Sequence, residues 1–242
     1  MIFQKKIAKD SLRLDKNTYK NISGFFYELD EKLFDVLLDF QNANNIDGNI
    51  LEIGVFYGRS FTYLTNYIKD DEIIYGIDHG HLYYTTQSTY NIHYEYIKYI
   101  NDYSYNINNY NIENLRFAHI DGSHHGIDVY NDIKNVYNKL TDDGIIALDD
   151  FTKEQYLQII SAFFKASNEL TLIPICCSDM KIYLVKNLDS YFKYYNYLIE
   201  HIKSIPAKNY IISESFINTN EKYISINNNE DFACDNTVAK KI

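Results

Sequence analysis

Residues 50–60 read Ile-Leu-Glu-Ile-Gly-Val-Phe-Tyr-Gly-Arg-Ser. An apolar run ends in Glu52, turns through Gly54 and Gly58, and opens a helix at Ser60. Gly54 lets the backbone approach a ligand closely, and a helix start offers unpaired N–H groups and a positive dipole end to a carboxylate or phosphate. A nucleotide-type cofactor sits well on such a turn. The spacing G-x-x-x-G also occurs in many other strand-to-helix turns, so the rest of the chain has to support the reading.

That support comes from repetition. Ile73–Ile77 predicts a second strand ending in Asp78, Leu115–Ile120 a third ending in Asp121, and Ile145–Leu148 a fourth ending in Asp149-Asp150. Helical spacing separates them, with Phe61, Leu64 and Ile68 on one face and Val129, Ile133, Val136 and Leu140 on another. Ahead of the first strand, Phe26, Leu29, Leu33, Val36, Leu37 and Phe40 predict a helix over 25–43. Thr152 with Gln155 has the form of a capping box for a helix to about residue 168. Strands near 170–176 and 181–186 flank Ser178-Asp179 as a hairpin, and a Tyr-rich helix near 189–204 precedes a peripheral tail.

Alternation from residue 50 to 168 implies an α/β, Rossmann-like fold: a mostly parallel sheet with helices on both faces and an antiparallel C-terminal hairpin. The implied organisation is an N-terminal helical extension over 1–46, the α/β domain over 47–187, and a C-terminal helix and tail over 188–242. Open parallel sheets bind ligands beyond the C-terminal ends of their strands, and that is where Glu52, Asp78, Asp121 and Asp149-Asp150 fall. One stretch resists this pattern. Residues 81–112 are rich in Tyr and Asn, show no clear apolar strand, and read as partly helical around 88–101.

The 242 residues suit one domain with extensions, and a formal net charge of −10 argues against a nucleic-acid partner, because phosphate neutralisation needs clustered Lys and Arg. No 18-residue apolar run and no signal-like N-terminus appear, so no membrane span is expected and the expected location is cytoplasmic. Three cysteines do not make a disulfide framework. The 25 Tyr and absent Trp read as compositional drift, which makes each of the 9 glycines more informative. Oligomeric state, a homo-oligomer included, stays open.

Glu52-x-Gly54-x-x-x-Gly58 and Asp78 resemble the first motif and the ribose-binding acid of class I S-adenosylmethionine (SAM)-dependent methyltransferases. Ile120-Asp121-Gly122-Ser123-His124 and Gly144–Phe151 are similar to the small-molecule O-methyltransferase branch that includes macrocin O-methyltransferase. Phe56 stands where the usual glycine turn has a central Gly. The resemblance implies a SAM site of Glu52, Gly54, Tyr57, Gly58, Arg59, Ser60 and Asp78, with Arg59 and Ser60 at the cofactor's amino-acid end or, alternatively, capping their helix. It further implies Mg²⁺ held by Asp121, Asp149 and Asp150, and methylation of a hydroxyl on a small polar acceptor, most readily a sugar or glycoconjugate. Catalytic candidates are His124 and Asp121. The base stays open among His124, His125 and the site carboxylates, and His79 reads equally as pocket wall. Two other readings compete: a nicotinamide-dependent oxidoreductase using Gly54, Gly58 and Asp78, and a non-catalytic scaffold of the same fold.

Overall fold

Strand residues alternate between two cores, and this alternation sets the architecture of the molecule, a computed structural model that describes residues 18–80, 95–201, 210–216 and 222–228. Strands β1 (Asn49–Ile53), β2 (Ile74–Asp78), β4 (Leu115–Ile120) and β5 (Leu140–Leu148) run parallel, with β3 (Ile97–Asn101) outside β2. Ile50, Ile74, Phe117 and Ile145 face one side, while Leu51, Tyr75, Ala118 and Ile146 face the other. A strand's period of two sends neighbouring side chains to opposite faces, so a central strand buried on both sides reads as a continuous apolar run.

Helices α1 (Glu28–Ala43), α2 (Arg59–Leu64) and α5 (Leu188–His201) cover the first face. Helices α3 (Gly126–Lys139) and α4 (Leu157–Ser167) cover the second. β6 (Ile173–Cys177) and β7 (Ile182–Val185) form the expected hairpin, with β7 antiparallel to β5. Strands β8 (Tyr210–Phe216) and β9 (Lys222–Asn228) complete the order β3-β2-β1-β4-β5-β7-β6-β9-β8.

Four expectations change. Residues 97–101, read as part of a helical stretch, are β3, parallel to β2 with Ile77 opposite Ile100. As an edge strand it is only half-buried, which accounts for its weak apolar signal. Thr152 caps no helix: its hydroxyl donates to the Asp179 carbonyl, and α4 begins only at Leu157 after a 3-10 turn over Glu154–Tyr156. Asp143-Gly144 lies inside β5 rather than breaking the chain before it, because β5 and β4 pair again from Leu140 across an irregularity. Residues 210–216 and 222–228, expected in the tail, extend the sheet through β9 beside β6. The remainder of that tail, residues 1–17 and the first part of the Tyr-rich stretch (81–94) lie outside the described residues.

The N-terminal helix packs as part of the same core. Phe34 meets Phe117, His119 and Tyr183 edge-on with ring centroids 5.0–6.2 Å apart. Among the described residues no helix is long and apolar enough to cross a membrane.

Candidate active site

The glycine turn forms as its sequence requires. Gly54 (φ +88°) and Gly58 (φ +90°) both adopt left-handed backbone, and a Cβ on Gly54 would stand 1.9 Å from the Asp121 carbonyl oxygen. Only glycine lets the tips of β1 and β4 close to this distance. Phe56 is left-handed as well (φ +50°), and its N–H donates to Asp78 Oδ2 at 2.7 Å. Asp78 Oδ1 accepts from the Gly80 N–H at 2.8 Å. Each carboxylate oxygen keeps a further lone pair, so Asp78 has the capacity to accept from a ribose diol.

A cleft of about 740 Å³ opens beyond these strand ends. Gly54, Tyr57, Arg59, Ser60 and Asp78 line it, as expected for a cofactor site, together with His79, Asp121, His124 and His125. Asp102, at the end of β3, and Tyr103 and Ser23–Phe25 line it too. None of these last was foreseen, since β3 was missed and the segment before α1 carries no motif. His79 is exposed and stacks on Tyr103, with centroids 4.8 Å apart. Arg59 donates to the Gly24 carbonyl at 3.3 Å, and its buried Nε has no partner among the described residues. That donor, beside the glycine turn, fits the carboxylate of an amino-acid moiety.

Glu52 takes a different position. It is fully buried beneath the turn, where Ser60 Oγ donates to Oε1 at 2.6 Å and His119 Nδ1 donates to the same oxygen at 2.7 Å. Glu52 and His119 are register partners on β1 and β4 and point to the α1 side of the sheet. Ser60, though it lines the cleft, thus spends its proton on Glu52 and braces the turn from below.

His119 leads on to the expected metal end. Its Nε2 lies 3.7 Å from Asp149 Oδ2, an oxygen in close contact with the Lys181 ammonium. Burial and the Lys181 charge oppose a proton on His119, and the Asp149 and Glu52 carboxylates outweigh them, pushing its pKa up to about 9. Burial likewise opposes charge on Asp149, yet Lys181 and His119 hold its carboxyl below the ordinary range. Asp121 is raised well above that range by burial and by the Asp149 charge.

Asp149 and Asp150 join different donor sets, and Asp150 adopts left-handed backbone (φ +55°). Asp149 Oδ1 accepts its neighbour's N–H at 2.7 Å. Asp150 Oδ2 pairs with His124 Nε2 at 2.8 Å, and Oδ1 with Lys153 Nζ at 2.5 Å. The His124 ring stacks on Tyr156 with centroids 3.9 Å apart.

Donor atoms that converge among the described residues form two sets, His119–Asp121–Asp149 and Asp121–His124–Asp150, and not the expected Asp121–Asp149–Asp150. Mg²⁺ favours oxygen donors and keeps several waters. Each set here contains an imidazole, and every oxygen of the Asp149-Asp150 pair already faces a donor. The residues present do not fit the ion as expected. They do fit SAM.

Comparison with known proteins agrees with the fold. Residues 51–151 match the family model described as a methyltransferase domain. No curated protein matches the chain. Among solved structures, the O-methyltransferase NovP superposes with a TM-score of 0.53 at 15% identity, covering 66% of this chain and 81% of that one. The calicheamicin-biosynthesis enzyme CalS11, a TDP-rhamnose 3′-O-methyltransferase, gives 0.52 at 15% identity over 65% and 78%. A SAM-dependent O-methyltransferase from Thermotoga maritima gives 0.51 at 14% identity over 69% and 68%.

Proposed function

We propose that this chain, whose residues 51–151 match a methyltransferase domain model, is a class I, SAM-dependent enzyme that methylates a hydroxyl oxygen of a small polar acceptor, a sugar or sugar conjugate being the acceptor class. The observation that carries this reading is one cleft lined both by the Gly54–Asp78 cradle and by Asp121 and His124. The carbohydrate assignment draws on CalS11, whose described acceptor is a nucleotide-linked sugar.

When bound, SAM supplies a methyl group on a sulfonium whose departure leaves a neutral thioether. Asp78 would hold the ribose, and Arg59 the amino-acid carboxylate. An aliphatic hydroxyl is a weak nucleophile at neutral pH, so its proton needs an acceptor as the O–C bond forms. His124 is built for that task. Asp150 accepts from Nε2–H, which leaves Nδ1 with its lone pair in the neutral tautomer, and stacking on Tyr156 fixes the ring plane. Nδ1 would take the hydroxyl proton as the acceptor oxygen receives the methyl group. Holding both reactants in one cleft removes much of the entropic barrier. The Mg²⁺ implied by the resemblance has no step in this reading.

Isothermal titration of the full-length protein with SAM and S-adenosylhomocysteine tests the cofactor, and S-adenosylhomocysteine release over a panel of sugars, nucleotide sugars and catechols tests the acceptor. The reading expects saturable binding that Asp78→Ala weakens at least tenfold, and turnover on a sugar hydroxyl. No binding of either ligand overturns it.

A further inference from the structure

Given that methyl-transfer reading, we propose that Lys181 is the resident cation at the Asp149 end of the site, standing where the resembled branch places a divalent ion, so that this chain works without one. The Lys181 side chain is 2% exposed and its ammonium touches Asp149 Oδ2, with Asp30 Oδ2 of α1 at 3.6 Å. Its position is set by backbone and not by chance rotamer. β7 pairs antiparallel with β5, Ile182 opposite Leu148, which brings the preceding Lys181 beside Asp149. The turn into β7 is pinned: the Ser178 N–H donates to the Lys181 carbonyl at 2.8 Å, and the Lys181 N–H donates to Ser178 Oγ at 2.9 Å. The Phe151 N–H reaches the Met180 carbonyl at 2.9 Å, clamping the same turn onto the end of β5.

Charge on the carboxylate pair is thereby matched from inside the protein. Lys181 faces Asp149, with His119 beside it, and Lys153 faces Asp150. A divalent ion entering the inner donor set would meet the Lys181 ammonium at close range in a buried pocket, where like charges are weakly screened. His119 is fully buried and Asp149 nearly so, which leaves little room for the waters Mg²⁺ retains. Lys181 lines no part of the cleft; it is a positioning residue that acts through Asp149.

The test uses full-length protein stripped with chelator and titrated with Mn²⁺, read by electron paramagnetic resonance, with S-adenosylhomocysteine present. Wild type is expected to show no stoichiometric Mn²⁺ site below about 1 mM, a weak-binding threshold of about 4 kcal/mol. Lys181→Met, which keeps the stem and removes the charge, is expected to gain a Mn²⁺ signal that a second change, Asp149→Asn, abolishes. A purely structural lysine would not create that signal. Stoichiometric Mn²⁺ binding by wild type that Asp149→Asn removes would overturn the proposal, as would a folded Lys181→Met variant that gains nothing. Should Lys181→Met fail to fold, the wild-type titration decides alone. S-adenosylhomocysteine binding in the same chelated samples separates the two levels: its absence removes the methyl-transfer reading, whereas its presence alongside a Mn²⁺ site at Asp149 removes only the role of Lys181.

Discussion

Asp132 offers the sharpest quantitative test of this packing. It lies on the inner face of α3, 1% exposed, with Oδ2 lacking a partner among the described residues. Burial pushes its carboxyl up to about 7 from an ordinary 3.8, a hydrogen bond from Ser104 opposes the rise, and the Asp128 charge adds to it. The folded state therefore holds this proton more tightly than the unfolded chain does. Its contribution to stability is complete below about pH 4, declines as the pH rises toward 7, and is lost above that. The full gap corresponds to about 4 kcal/mol, and local relaxation should reduce it to roughly 2–4 kcal/mol. Asp132→Asn removes the titration and keeps the shape. At pH 8 the variant should melt about 5–10 °C above wild type, with the gap closing toward pH 4.5. Thermal melts by circular dichroism across pH 4.5–8.5 measure it. A gap that does not change with pH, or an Asn variant that is less stable at pH 8, would refute the burial argument. Ser104 and Asp128 both line the cleft, so the same melts repeated with S-adenosylhomocysteine report on its wall.

Other perturbations separate cofactor, chemistry and scaffold. Gly54→Ala puts a Cβ into the Asp121 backbone and forces an L-residue into left-handed geometry, which alone costs about 1–2 kcal/mol; calorimetry should find SAM binding lost. Asp150→Asn removes the group that orients His124, so kcat should fall about 10²–10³-fold with the SAM Kd unchanged; equal losses in both would place Asp150 in cofactor binding instead. Glu72→Gln leaves the fully buried Arg116 guanidinium without the carboxylate that meets Nε and Nη2 at 2.9 Å, and should cost about 3–5 kcal/mol in urea melts. That pair lies at the opposite, N-terminal end of the strands, so SAM affinity in the folded fraction should not move.

What the sequence reveals of this molecule is what neighbouring residues encode together. The glycine turn, the apolar runs of the four central strands and the acids at the ends of β2 and β4 are local patterns, and each is present where its pattern places it. β3 was hidden because an edge strand buries only part of each face, and Tyr and Asn dilute the apolar alternation of Ile97–Asn101. Glu52 was misplaced by two residues of register. It pairs with Gly76 and His119, two residues short of Asp78 and Asp121 on the neighbouring strands, so it stays buried beside His119 while those two acids reach the cleft. Lys181 had no readable signal at all, since a lysine in a turn ahead of an apolar strand looks like any solvated charge. Its partners stand at positions 30 and 149, and only the completed sheet brings them within reach. The same reasoning explains why three aspartates with metal-like spacing did not become a metal triad. Spacing along the chain places Asp149 and Asp150 at one strand end, but their oxygens are claimed by donors from separate segments, Lys181 and a backbone N–H at Asp149 and Lys153 and His124 at Asp150. Whether a carboxylate cluster serves an ion or an ammonium is thus decided by long-range pairing, which no local motif carries.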